Sequence, residues 1–368
     1  MTVIKNIFLQ TPLTTGRLAR WALGILSVAY LAWRLFDVLV LEHTYGPDTW
    51  LRFAISGLIL GGLYALIAIG YTLVYGILSM INFAHGEVMM IGCFGGYFVF
   101  EALNAIPAPG STDPTLSFLN GQPIISVILA FIVGMAVAAA AGYFLEKIAY
   151  RPLRGAQRLI PLISAIGASI FLQNAGQLMF GPQRRSYTNP ILFERGVGWN
   201  INVAGNDVVL TYTGVLTFVL SILFMLALYL LVQRTKLGRA MRAVAADKKT
   251  AALMGIDVDD VISKTFIISG ALAGAAGVMW GIHTGLVYYF VGFLPGIKAF
   301  TAAVFGGIGN IPGAMLGGVL LGGIESLGPA ALGWDFQLKD VIAFLILILV
   351  LLFRPSGILG QVLSEEKV

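Results

Sequence analysis

The stretch SMINFAHGEVMMIG, residues 79–92, interrupts a run from Phe53 to Phe100 that is otherwise free of charged side chains. Within six residues it places Asn82, His85 and Glu87 among phenylalanines, methionines and isoleucines. The surrounding composition decides how that interruption is read. Hydrophobic residues make up 58% of the chain and charged ones only 11%, with a mean hydropathy of +0.88. A water-soluble domain carries about 25% charged residues, and no soluble packing hides so much apolar surface. Membrane-spanning segments must satisfy their own backbone, which leaves helices or a closed barrel. Barrel strands alternate with period two, whereas the apolar runs here are continuous and about 20 residues long, helix length for a ~30 Å hydrocarbon core. The fold class expected is therefore all-α, a polytopic transmembrane helix bundle.

Hydropathy places spans at roughly 21–41, 53–77, 85–103, 124–145, 159–180, 210–232, 263–285 and 338–353. Between the last two lies a glycine-broken region, 293–328, whose halves PGIKAFTAAVF and IPGAMLGGVLLGGIESL flank the turn-forming GGIGN. Cytoplasmic loops retain lysine and arginine. Lys5, Arg17 and Arg20, then Lys147, Arg151, Arg154 and Arg158, then Arg234, Lys236, Arg239, Arg242, Lys248, Lys249 and Lys264, and finally Arg354 and Lys367 account for sixteen of the 23 basic residues. All fall on one side if the N-terminus is inside and 293–328 crosses twice as two short broken helices. That arrangement gives about ten crossings, with both termini cytoplasmic. An N-terminal signal peptide also fits Lys5 and Arg17, but the apolar run behind them continues too far.

Arg34 and Asp37 lie inside the first span, where one unpaired charge costs about 2.5 to 3.5 kcal/mol. Their i, i+3 spacing lets them neutralise each other. The single cysteine, Cys93, forms no internal disulfide, and three scattered histidines offer no metal cluster; no cofactor or metal is expected. There is no G-x-x-x-x-G-K-[ST] loop for nucleotide phosphates, and neither H-E-x-x-H nor G-x-S-x-G occurs. An enzyme is not expected, and any ATP must be hydrolysed by another subunit.

The basic segment RTKLGRAMRAVAADKKTAALMGIDVDDVISKTF (234–266) has the grammar of two short helices. The first covers Arg239 to Ala246; the second is N-capped by Asp247 and closed by Gly255, and Asp257 or Asp259 caps the long apolar helix beyond. Ala240, Met241, Val244, Ala251, Ala252 and Met254 supply an apolar docking face, the basic residues a rim. A positive loop resting on anionic headgroups is the other reading.

Several stretches together resemble one family: GGLYALIAIGYTLVYGILSMINFAHGEVMMIG (61–92), RPLR with LIPLISAIGASIFLQN, LGRAMRAVAADKKTAALMGIDVDDVISKTFIISGALAGAAGVMWG (237–281), GIKAFTAAVFGGIGNIPGAMLGGVLLGGIES (296–326) and FRPSGILGQ. The chain resembles permease subunits of ABC importers for branched-chain amino acids, a family that also includes permeases for urea and short-chain amides. The resemblance implies a permease domain over 53–361, preceded by an extension, 1–52, with one extra span, and followed by a cytoplasmic tail, 362–368. It implies an inner-membrane protein that pairs with a sister permease, cytoplasmic ATPase subunits and an extracytoplasmic solute-binding protein. The ATPase-coupling loop of the family corresponds here to Gly238, Arg239, Arg242, Asp247, Ala251, Gly255 and Ile256. Ion-coupled secondary transport is the main rival, and it calls for acidic or polar clusters deep in several spans. A channel would need a charged ring or filter.

The opening stretch has a partner. FAHGEVMMIGCFGG from Phe83 and FLPGIKAFTAAVFGG from Phe293 both run from phenylalanine to glycine three residues on, through an apolar half-helix, to Phe-Gly-Gly. Under this topology they run in opposite directions, as an inverted repeat requires, and broken helices at equivalent places mark transporter binding sites. Asn82, His85, Gly86 and Glu87 would then begin one half-helix and Gly296 mark the other. Their helix N-termini could receive a carboxylate, with Asn82 and His85 adding hydrogen bonds and Glu87 complementing the dipole or an amino group. A plain cytoplasmic turn, in which the same residues meet water or cap the helix, fits the residues as well.

Overall fold

A computed structural model describes residues 45–109, 116–157, 159–354 and 356–360, with part of the stretch 26–38. The helices are α1 (Pro47–Leu78), α2 (His85–Asn104), α3 (Pro123–Leu145), α4 (Leu159–Phe180), α5 (Tyr212–Arg234), α6 (Lys236–Ala246), α7 (Lys248–Leu253), α8 (Val258–Thr284), α9 (Phe293–Gly306), α10 (Ile311–Leu332) and α11 (Lys339–Phe353). Among the described residues eight helical segments are long and apolar enough to cross a membrane, and α9 is a shorter apolar helix. The all-α, polytopic class read from composition holds. The span expected at 21–41 lies largely outside the described residues, as does the tail 362–368. Arg34 and Asp37 are described, and they pair at 2.5 Å, with Arg34 Nε also donating to the Leu332 carbonyl at 3.1 Å.

One expectation is corrected. The region 293–328 does not form two short helices: α9 has 14 residues, about 21 Å of helix, but α10 has 22, about 33 Å, enough to span the core. The glycines read as breaks in α10 are instead the means of its packing. A Cβ on Gly318 would lie 2.2 Å from the Ala65 Cα, and one on Gly322 would lie 2.2 Å from the Gly61 nitrogen. Close backbone approach gains dispersion contact where lipid offers no hydrophobic drive between helices.

Central α1 and α8 are mostly buried, while α3, α4, α5 and α11 present most of their surface outward. The contacts repeat with exchanged partners. α3 packs on α8 and on α2; α10 packs on α1 and on α9; α2 lies against α8 as α9 lies against α1. The exchange matches α1 with α8, α2 with α9 and α3 with α10, the pairing that the expected inverted repeat calls for.

The two ends of the bundle differ. At one, β1 (Arg185–Ser186) pairs antiparallel with β4 (Leu286–Val287), and β2 (Gly198–Val203) forms a hairpin with β3 (Asn206–Thr211). Arg52 at the start of α1 donates to the Asp207 carbonyl of that hairpin. At the other end lie α6, α7, the Arg151–Arg154 turn and the segment 356–360, whose Ile358 N–H donates to the Phe305 carbonyl at 2.9 Å. Most of the described lysines and arginines cluster at this second end.

Candidate functional site

α1 ends where Ser79 takes a positive φ of 55° and reverses the chain. The next residues fold back alongside α1, so that α2 begins level with Gly70: a Cβ there would lie 2.3 Å from His85 Nε2. Gly70 stands about 12 Å back along α1 from its end, so α2 starts inside the bundle. α9 starts inside it from the opposite direction, after β4. The two beginnings touch. A Cβ on Gly86 would sit 2.5 Å from the Gly292 carbonyl oxygen, and one on Gly292 would sit 1.8 Å from the Gly86 carbonyl oxygen. Only glycine allows that approach.

Beside this junction is a cavity of about 300 Å³, at the small end of the range for ligand sites. Tyr71 of α1, Phe83, Gly86 and Glu87 form one wall, and Phe293, Gly296, Ile297 and Phe300 of α9 another. Ile166, Ser169, Ile170 and Gln173 of α4 close it. The Glu87 carboxylate is fixed at one oxygen: Gln173 Nε2 donates to Oε1 at 2.7 Å, and Ser169 Oγ lies 3.4 Å from the same atom. Glu87 is 1% exposed, and its Oε2 has no hydrogen-bond partner among the described residues.

Of the residues singled out in the sequence, Gly86, Glu87 and Gly296 line the cavity, whereas Asn82 and His85 do not. Asn82 Oδ1 accepts from the Tyr150 hydroxyl at 2.6 Å, tying the turn to the end of α3. The His85 ring packs edge-on against Tyr71, centroids 4.7 Å apart, with Nδ1 3.5 Å from Ser269 Oγ; that hydroxyl donates to the Gly70 carbonyl at 3.0 Å. Both side chains hold the junction from behind. The expectation of open N–H groups at the helix starts is also revised. The N–H groups of His85, Glu87 and Gly296 donate to Asn82, Ala84 and Gly292 carbonyls at 3.1, 3.1 and 2.8 Å, because each helix is entered through a tight turn.

The sequence reading missed Tyr71, Ser169 and Gln173, although Ser169 and Gln173 stand one helical turn apart within an apolar span. It also missed an ion cluster that is buried at Lys298 and Glu325 and reaches the surface at Lys339 and Asp340. Lys298 Nζ lies 2.8 Å from Glu325 Oε1 and 2.5 Å from Asp340 Oδ1, Lys339 lies 3.5 Å from Glu325, and the Tyr64 hydroxyl donates to Glu325 Oε2 at 2.8 Å. Two lysines and two carboxylates balance, which leaves this cluster without the surplus acid that a sodium or proton site needs.

The basic segment folds as its caps direct. Thr235 Oγ1 accepts from the Gly238 N–H at 3.0 Å and starts α6, three residues earlier than expected. Asp247 Oδ1 accepts from the Lys249 N–H at 2.9 Å and starts α7. Gly255, at φ +82°, ends α7, its N–H donating to the Ala252 carbonyl at 3.0 Å and that of Ile256 to Ala251 at 3.1 Å. Asp257 caps α8. The Thr250 hydroxyl and Lys249 N–H hold Asp247 below the usual carboxylate range, and burial followed by the Arg154 charge pulls Lys248 down. The expected docking face divides in two. Met241, Val244 and Ala251 are buried in the chain's own bundle, while Ala252, Leu253 and Met254 stand exposed, the last two at 88% and 79%. Arg239 and Arg242 are on the exposed side, and Arg242 donates to the Val232 carbonyl. The elbow is braced below by Arg151 and Arg154, which both pair with Asp259, and by Arg154 with the buried Glu146.

Opposed helices whose starts meet inside a bundle, beside a small cavity, are what a multi-pass membrane transport protein needs. The family described as branched-chain amino acid transport system permease component matches residues 53–351, and the chain belongs to it. It is 49% identical over 312 residues, 85% of this chain and 96% of the relative, to the high-affinity branched-chain amino acid transport system permease protein BraD of Pseudomonas aeruginosa. It is 45% identical over 308 residues, 83% of this chain and 94% of the relative, to the corresponding protein LivH of Escherichia coli. The fructose import permease protein FrcC of Rhizobium meliloti is 30% identical over 235 residues, 60% of this chain and 61% of the relative. No solved structure matches the chain. These relatives are permeases of transport systems, and the chain is a transport subunit rather than an enzyme.

Proposed function

We propose that this chain is one permease half of an ATP-driven importer for branched-chain or other small amino acids, with its path running past the α2–α9 junction. Gly86, Glu87 and Gly296 line that path, while Asn82 and His85 position it. The observation that carries the reading is the cavity of about 300 Å³ where two oppositely directed helices begin. Its apolar lining suits an aliphatic side chain, and the names of BraD and LivH support the same solute class.

The elbow α6–α7 is the proposed seat of cytoplasmic ATPase subunits. It is capped at each end, braced by Asp259 and Glu146, and tipped by exposed Leu253 and Met254, features of a lever that transmits force without deforming. Gly238, Arg239, Arg242, Asp247, Ala251, Gly255 and Ile256 build it. With that end inside, both termini are cytoplasmic, in keeping with retention of positive charge. The β2–β3 end then faces a solute-binding protein, and the outward-facing α4 and α11 surfaces are available to a sister permease.

The test is uptake in vesicles carrying the whole complex, comparing leucine with urea, with and without ATP. Leucine uptake that requires ATP is expected; urea uptake in its place would move the chain to the amide permeases, and uptake on an ion gradient without ATPase subunits would end the reading. In Gly238→Asp, the new side chain starts from a Cβ only 2.2 Å from the Val232 carbonyl oxygen. This variant should insert normally yet lose the ATPase on co-purification.

A further inference from the structure

The cavity's polar groups are not symmetric in charge. Its wall carries one carboxylate, that of Glu87, two hydroxyl-bearing side chains and one amide, with no lysine or arginine among the lining residues. Gln173 donates one amide hydrogen at 2.7 Å to Glu87 Oε1, which fixes the carboxylate plane and leaves Oε2 unpartnered among the described residues. A buried acceptor without a donor costs free energy unless a ligand supplies one. The N–H groups of Glu87 and Gly296, which could have compensated an anion at the helix starts, are already bonded to carbonyls. A solute that carries a carboxylate or other anion and no ammonium group therefore finds only a like charge here, and a neutral amide finds a carboxylate it can match only weakly.

We infer that Glu87 is a specificity-determining residue: its carboxylate receives the primary ammonium group of a solute whose aliphatic part lies against Ile166, Ile170, Ile297 and Phe300. The inference rests on the proposed transport function and adds to it a second selection step within the membrane, after any made by a binding protein. Gln173 and Ser169 act as positioning residues that aim the carboxylate.

The experiment uses the reconstituted complex and measures ATP-driven uptake of labelled leucine, together with basal ATPase activity. Glu87→Gln keeps an oxygen acceptor for Gln173 and removes the charge. It should lower leucine uptake about tenfold or more, the scale of one charge-assisted hydrogen bond, with the complex still assembled. Gln173→Leu keeps the charge and removes its anchor, and should cost markedly less. Equal losses in the two variants would mean that Glu87 only ties α2 to α4, and would overturn the inference. Undiminished uptake in Glu87→Gln would overturn it while leaving the transport function intact. A wild-type complex that takes up no leucine with ATP would remove that function and this inference together.

Discussion

The two helices whose starts meet at Gly86 and Gly292 treat charge in opposite ways. In the first, α2 brings a single carboxylate to the cavity and satisfies one of its oxygens. In the second, α9 brings Lys298, 3% exposed, and satisfies it with Glu325 and Asp340. The Phe83 and Phe293 segments, aligned at their phenylalanines, put Gly86 and Glu87 opposite Gly296 and Ile297, and all four line the cavity. Of the two matched positions, one brings a carboxylate to the cavity while the other is apolar. The cation of the second half is turned away and locked to α10 and α11. One half presents an acid with an unpartnered oxygen; the other pairs its cation within the bundle.

That contrast can be broken most forcefully at the cation. Lys298→Met leaves Glu325 and Asp340 without their shared cation in a buried site, where removing one partner costs about 3 to 5 kcal/mol. A large fall in the detergent melting temperature is expected, whereas Glu87→Gln should leave it nearly unchanged. Equal melting temperatures for the two variants would erase the distinction between the halves. Next in size is Tyr64→Phe, which removes one donor to Glu325 while Lys298 remains. A loss of about 1.5 to 3 kcal/mol, the range for hydrogen bonds to charged groups, is expected in equilibrium unfolding. The smallest loss of stability belongs to Gly292→Ala, which forces a methyl group against the Gly86 carbonyl oxygen and should cost about 1 to 3 kcal/mol by overpacking. Its signature is a fall in transport, measured as leucine uptake, because the helix starts are parted.

Much of this architecture was legible in the sequence because lipid makes hydropathy a direct record of helix placement. The span expected at 159–180 coincides with α4, and that at 124–145 begins one residue after α3. The elbow was equally legible, since Asp247, Gly255 and Asp257 act on backbone groups within a few residues of themselves. What failed was anything that depended on a distant partner. The glycines of α10 signal turns in water, but here they admit the backbone of α1, far earlier in the chain. Asn82 and His85 fitted a path or a turn equally well in the sequence; in the structure Tyr150, Tyr71 and Ser269 engage them, while Glu87 lines the cavity. Lys298 and Glu325 lie on separate helices, and nothing local to either announces the pair.

The central claim is that solute passes the junction between the starts of α2 and α9, and the most direct measurement is protection of a thiol placed there. Cys93 is the single cysteine of the chain and is buried, so Ile297→Cys in a Cys93→Ala background gives one site for a methanethiosulfonate reagent in the reconstituted complex. During ATP turnover, saturating leucine should slow labelling of that thiol severalfold. A labelling rate that leucine leaves unchanged, in a complex that still transports it, would contradict the account.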